Sequence, residues 1–149
     1  MSVGTLYQYF ADKDAVFAAL IRREVTALGR AFDAIGPAPE EPLEATLLRI
    51  FRAALVAMPH GPELSRRLEH VPHALLRRSV AQGKQRVIAL VRRLLEAHRA
   101  ELRVDDLDLA AFVIVNASQG VGIEAGPELF GERLAAELTT LFVRYLRVG

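Results

Sequence analysis

Apolar residues recur at helical spacing through most of this chain, and proline and glycine interrupt that pattern at two places. Residues 36–42, GPAPEEP, and residues 59–62, PHGP, have the composition of loops, because proline lacks an N–H group and glycine is too flexible to favour a helix. No segment shows the alternation of apolar and polar residues that is typical of a strand. The chain is therefore expected to be all-α. The predicted helices cover residues 13–34, 43–58, 63–70, 73–103, 107–123 and 129–146.

The chain has 149 residues, of which 52% are hydrophobic, which is enough for one well-packed domain and short of two. It contains no cysteine, and this excludes disulfides, thiolate metal ligands and cysteine nucleophiles. Met1 is not followed by a signal-peptide pattern, and no apolar run reaches the roughly 18 residues of a membrane span. We therefore expect a soluble, cytoplasmic protein with no membrane association.

Charge is distributed unevenly although the net charge is only +1. Residues 66–103 hold ten lysines and arginines against three acidic residues, whereas residues 105–137 hold seven acidic residues against one arginine. Since opposite charges attract, these two segments are expected to contact one another. The arginines otherwise fit a solvated helix face better than a nucleic-acid surface.

The N-terminal residues carry the most specific pattern in the chain. Residues 2–10 predict a short helix, and Asp12 is in the position of an N-cap for a second helix that begins at Lys13. A lysine in the first turn of a helix opposes the helix dipole by up to about 1 kcal/mol. The free N–H groups of a helix start, with a lysine beside them, suit a phosphate, so this turn is a candidate contact to nucleic acid. A solvated lysine, screened by water and salt, is the alternative that the residues leave open.

The segment SVGTLYQYFADKDAVFAAL, residues 2–20, resembles the recognition helix and following helix of TetR-family bacterial transcriptional regulators. The family pattern there is a small residue, then T-L-Y-x-Y/H-F, then a short turn with K-D/E-A-L. Family members place these positions against the DNA major groove or its phosphates. The resemblance therefore implies a set of DNA-binding residues: Ser2, Val3, Thr5, Tyr7, Gln8, Tyr9 and Lys13.

The sequence departs from the family at its start, because the first two helices of a helix-turn-helix would precede Met1. A recognition helix needs the first of those helices to brace it on the DNA backbone. We therefore expect residues 1–34 to be a remnant of the DNA-binding domain, operator binding by this form to be poor, and the true start of translation to lie upstream.

Residues 35–149 look like the effector-binding and dimerisation domain of the same family. The predicted helix over residues 107–123 is apolar almost all round, and a small domain cannot cover both it and the last helix unaided. The resemblance implies a homodimer in which these two helices pair with those of a second copy. The expected dimerisation residues are Val121, Leu134, Leu138, Leu141, Phe142 and Tyr145.

The amides of Asn116 and Gln119 stand out within that apolar helix. Buried amides must find hydrogen-bond partners, so these two residues, with the aromatic rings of Phe51 and Phe112, are candidates to bind a small, largely apolar effector. Hydrogen bonds between helices or across a dimer, and ordinary core packing of the rings, are the alternatives that remain open.

No cofactor, metal or catalytic constellation is predicted. Glu69, His70 and His73 superficially resemble a metal trio, but Pro72 disfavours the continuous helix that would align the two histidines. The chain has no glycine-rich phosphate loop and no nucleophile elbow. The expected function is a ligand-responsive transcriptional regulator, usually a repressor. Two alternatives are a natural dimeric effector-binding or decoy protein without DNA binding, and a small helical enzyme.

Overall fold

A computed structural model describes residues 13–36, 38–57, 74–126 and 128–147. Within these ranges the protein is all-α, as predicted. Residues 1–12 and the helix predicted over residues 63–70 lie outside the described residues. Five helices are described, with a short 3-10 helix, Arg99–Glu101, before the fourth: α1 (Lys13–Asp33), α2 (Leu43–Ala57), α3 (Ala74–Ala97), α4 (Leu107–Glu124) and α5 (Glu132–Arg147).

The helix ends agree with the sequence where a capping group or a proline-rich loop sets them. Asp106 caps α4, and its carboxylate accepts a hydrogen bond from the Leu109 N–H at 2.9 Å. α3 ends earlier than predicted because the chain tightens into the 3-10 helix and then becomes extended at Leu102. α5 begins later than predicted, after a turn that includes Gly131 at φ +145°.

The helices form a bundle in which α1 packs against α2 and α3, α3 against α4, and α2 against α5. α4 and α5 touch each other only lightly. The end of α3 meets the start of α2 and the end of α5, as shown by contacts of Thr46 with His98 and of Glu101 with Arg147. We call this meeting point the closed end of the bundle.

The closed end holds the largest fully buried side chains of the described residues, which are Leu43, Thr46, Leu47, Leu95 and Leu146. One helical turn further along α2, the ring of Phe51 stacks on that of Phe142 in α5, with centroids 5.8 Å apart. This stack fixes α2 against α5, because ring pairs add to the stabilisation that burial of their area already provides.

A series of hydrogen-bonded polar side chains also crosses the closed end. The Thr46 hydroxyl donates to Glu41 Oε2 at 3.0 Å and lies 3.2 Å from His98 Nε2, while His98 Nδ1 lies 3.2 Å from Glu101 Oε1. Arg49 pairs with Glu41 and Arg147 pairs with Glu101, and these guanidinium hydrogen bonds hold the pKa of each carboxyl below its usual range. Both carboxylates are thus kept ionised as acceptors, and the buried Thr46 and His98 are supplied with partners.

Helices α1 and α3 approach each other closely at Gly83. A Cβ atom on Gly83 would lie 2.5 Å from Val25 Cγ1, far inside van der Waals contact. A glycine within a helix costs about 1 kcal/mol relative to alanine, and here that cost is offset by the close contact it allows. Gly83 therefore serves the close packing of α1 and α3.

The variant Gly83→Ala tests this contact. We expect it to lower the free energy of unfolding by about 1–3 kcal/mol, because the stiff Val25 side chain must move, although alanine favours the helix more than glycine does. The matched control is Gly29→Ala in α1, where a Cβ meets nothing within 4 Å and which should be neutral or stabilising. Urea unfolding at one protein concentration measures both. If Gly83→Ala is as stable as Gly29→Ala, the close approach of α1 and α3 is wrong.

Candidate effector cavity and exposed helical face

A cavity of about 1010 Å³ lies between α1, α2, α3 and α4, with the start of α5 closing one side. Small-molecule sites in proteins are typically cavities of about 300–1,000 Å³, so the space is large enough for one sizeable ligand. The close approach of α1 and α3 at Gly83 and the aromatic stack between α2 and α5 fix helices that line it.

The wall of the cavity is mainly apolar. Its buried and half-buried apolar residues come from all five helices and the turn before α5: Val25, Leu28, Phe32, Leu47, Ile50, Phe51, Ala54, Leu55, Val80, Val87, Leu90, Val91, Ile114, Val115, Ile123, Phe130, Leu134 and Leu138. An occupant that removes this wall from water gains stabilisation in proportion to the area covered. The cavity therefore favours a ligand with a substantial apolar body.

The polar lining is mostly basic. It comprises Arg22, Arg30, Lys84, Arg86, Arg92 and Arg93, together with Asp33, Thr26, Gln82, Ser118 and Gln119. Ser118 Oγ is already engaged, since it donates to the Ile114 carbonyl at 2.6 Å. Arg92 pairs with Asp108 at 2.8 Å, which confirms that the basic and acidic segments contact one another. The excess of cations gives the cavity a positive potential.

The four residues predicted to bind an effector fall in different places. Gln119 lines the cavity with an exposed side chain, and Phe51 lines it from the buried stack on Phe142. Asn116 does not line the cavity. Its Nδ2 donates to the Phe112 carbonyl, and its Oδ1 accepts from Lys84 Nζ, both at 2.8 Å. Of the alternatives that the sequence left open for Asn116, the structure shows a hydrogen bond between helices, from α3 to α4.

Phe112 lies away from the cavity, and its side chain is 52% exposed. Other large exposed apolar side chains of the described residues lie on α4 and on α5, and we call this set the α4–α5 face: Leu109, Phe112, Leu141 and Tyr145. Exposed apolar residues on two helices that contact each other are candidates for an interaction surface.

The predicted dimerisation residues divide between this face and the interior. Leu141 and Tyr145 belong to the α4–α5 face. Val121 is also exposed, but it lies two helical turns from the buried Ile114 and so on the inner side of α4. Leu138 and Phe142 are only 6% and 2% exposed, because the apolar side of α5 packs on α2 within the same chain. Leu134 is half-buried and lines the cavity. Leu138 and Phe142 thus belong to the core of the protomer, and Leu134 to the cavity wall, rather than to a surface that a partner could reach.

Helix α4 is long and apolar enough to cross a membrane by length and composition, with a mean hydropathy of 1.2 over Leu107–Glu124. It is not an uninterrupted apolar run, because this window includes two charged residues, Asp108 and Glu124. The window is 22% buried, and its inner side packs against α3. One helix of this kind is weak evidence for a membrane protein, because core helices of soluble proteins have the same composition.

The DNA-binding candidates at positions 2–9 lie outside the described residues, and of Lys13 only the backbone, which begins α1, is described. Glu69, His70 and His73 also lie outside. Among the residues that the structure does describe, no group of three or more histidines, cysteines and carboxylates could hold a metal ion.

Lys84 is the functional candidate that the sequence analysis missed. Its position in the sequence could have identified it, because Lys84 is a charged residue on the apolar stripe of α3, between Val80 and Val87. The contribution of α1 to the cavity, through Val25, Leu28 and Phe32, was also missed, since periodicity shows that a face is buried but not what it faces.

The family model described as "Tetracyclin repressor-like, C-terminal domain" matches residues 42–146, which is most of the chain. No curated protein and no solved structure matches. The matched residues contain α2, α3, α4 and α5, which supply three walls of the cavity and the whole α4–α5 face. With its all-α architecture, the chain belongs to the TetR-like transcriptional regulators through their C-terminal regulatory domain.

Proposed function

We propose that this protein is a ligand-responsive transcriptional regulator, a repressor, that acts as a cytoplasmic homodimer and binds a small, largely apolar effector. In this proposal residues 1–34 belong to the DNA-binding part, residues 35–149 form the effector-binding and dimerisation part, and the protein is not an enzyme. The observation that carries the proposal is that one helix, α1, both follows the segment resembling a recognition helix and forms a wall of the cavity.

The shared helix offers a direct route from the cavity to DNA. The wall residues Val25, Leu28 and Phe32 lie on the same helix as Lys13, and Val25 is roughly 18 Å from Lys13 along the axis at about 1.5 Å per residue. Helix α1 also packs closely against α3 at Gly83. Because this contact is fixed, a ligand that pushes the two helices apart elsewhere would tilt α1. An effector that binds one tilt better than the other shifts the population toward that state. By analogy with the family, the shifted state releases the operator.

The α4–α5 face supports the dimer. A second copy that presents the same face would cover Leu109, Phe112 and Leu141, the three most exposed side chains of the set, at a two-fold axis. The light contact between α4 and α5 leaves both helices free to take up partners in a four-helix arrangement.

A charge on this face tests the dimer. We expect Leu141→Glu to give a folded monomer, because Leu141 is 55% exposed in one protomer and an unpaired carboxylate would be buried in the dimer. The matched control is Val56→Glu on α2, a residue that is 81% exposed and lies off the face. Light scattering with size exclusion at micromolar concentration measures both. A parent protein that is monomeric, or a Leu141→Glu variant that stays dimeric, contradicts the proposal.

Regulation is tested on a chain that includes the two helices that precede the recognition helix in the family. We expect it to bind a palindromic DNA site with steep salt dependence. Lys13→Ala should weaken binding to all sequences alike and reduce the salt slope by about 1, whereas Gln8→Ala should change the preference between bases. Fluorescence anisotropy of labelled duplexes measures these effects.

The same measurement tests the response to a ligand. N-phenyl-1-naphthylamine, a neutral apolar fluorophore, should release the DNA at concentrations that fill the cavity. Binding without any sequence preference, or DNA affinity that is unchanged when the probe is bound, would contradict a ligand-responsive regulator.

A further inference from the structure

Lys84 is a cation without a counter-ion in the part of the chain that the structure describes. It is half-buried on α3 and lines the cavity. Its Nζ donates to Asn116 Oδ1 at 2.8 Å, and Asn116 is a neutral amide. An ammonium group has three N–H donors, so two remain available to solvent or to a ligand.

Asn116 fixes the position of this ammonium group. Its Nδ2 donates to the Phe112 carbonyl of its own helix, which orients Oδ1 toward Lys84. Rotation of the amide by half a turn would direct its NH₂ group at the ammonium, where two donors would meet. The lysine is therefore held at the cavity wall by a bond from α3 to α4, and its charge is not neutralised by that bond.

The other charged residues that line the cavity do not neutralise Lys84 either. Asp33 is the one acidic residue that lines the cavity with Lys84, and it stands against five arginines. Arg92 is paired with Asp108, but no carboxylate of the described residues pairs with Arg86 or Arg93 on the same helix. Partial burial of a cation without a counter-ion is unfavourable, and a bound anion removes that cost.

We propose that the effector of this cavity is an amphipathic organic anion, in which a carboxylate, sulfonate or phosphate group pairs with Lys84 and an apolar body fills the space beside Val87, Leu90 and Ile114. This rests on the proposed function of the cavity as the effector site and specifies the class of ligand. It assigns Asn116 the role of a positioning residue, which acts through Lys84.

Two fluorescent probes that differ in one group test the proposal. 1-Anilinonaphthalene-8-sulfonate carries a sulfonate, and N-phenyl-1-naphthylamine has the same ring system without it. Lys84→Gln should weaken binding of the sulfonate about tenfold or more, as expected for a lost hydrogen bond to a charged group, and change binding of the neutral probe less than about twofold. Lys84→Arg should retain most of the sulfonate affinity.

The control variant is Arg77→Gln, which removes a positive charge from the exposed side of the same helix and does not line the cavity. It should leave both affinities unchanged. A second measurement needs no variant: decanoate should displace the neutral probe from the parent protein more strongly than 1-decanol, and decylamine should displace it least.

The outcomes separate the two levels of the proposal. If both probes bind and Lys84→Gln weakens the sulfonate alone, the anionic class is supported. If both bind but Lys84→Gln affects them equally, or decylamine displaces as well as decanoate, the anionic class is overturned while an effector cavity stands. If neither probe binds saturably, the effector cavity itself is overturned, and the anionic class with it.

Discussion

The hydrogen-bonded contact between Thr46 and His98, both buried, ties the start of α2 to the end of α3. Buried polar groups must be paired, since an unpaired one costs about 1–3 kcal/mol, so this contact admits one arrangement of the two helices. Glu101 extends it to Arg147 at the end of α5. Three of the five helices are thereby fixed at the closed end, and the cavity lies further along the same helices.

Away from the closed end, the helices of the bundle enclose the cavity. Toward the cavity, α3 contacts α1 at Gly83 and α4 through Lys84, so adjacent residues of one helix reach both neighbours. A ligand in the cavity can therefore alter both contacts at once. In the proposed function the element that responds is α1, because it lines the cavity and its first residue follows the segment that resembles a recognition helix.

The starts of α2 and α4 and the ends of α1 and α2 could be predicted because proline-rich loops and the cap at Asp106 act locally, whereas the end of α3 and the start of α5 were placed wrongly. The sequence could not show which apolar residues are buried within the protomer and which are exposed. Leu138 and Leu141 look equivalent in the sequence, yet one is buried against α2 and the other is exposed, since only the pairing of α2 with α5 decides which side of α5 is covered. Phe51 and Phe112 were likewise equivalent candidates, and α4 is so uniformly apolar that periodicity could not separate its inner and outer sides.

The central claim is that occupancy of the cavity reaches α1, and amide hydrogen exchange with and without saturating N-phenyl-1-naphthylamine measures this most directly. The account predicts slower exchange on binding in residues 22–33 of α1 and 80–93 of α3, with little change in residues 98–106 at the closed end. Slower exchange confined to α4 and α5, or an α1 that exchanges identically in both states, would contradict it.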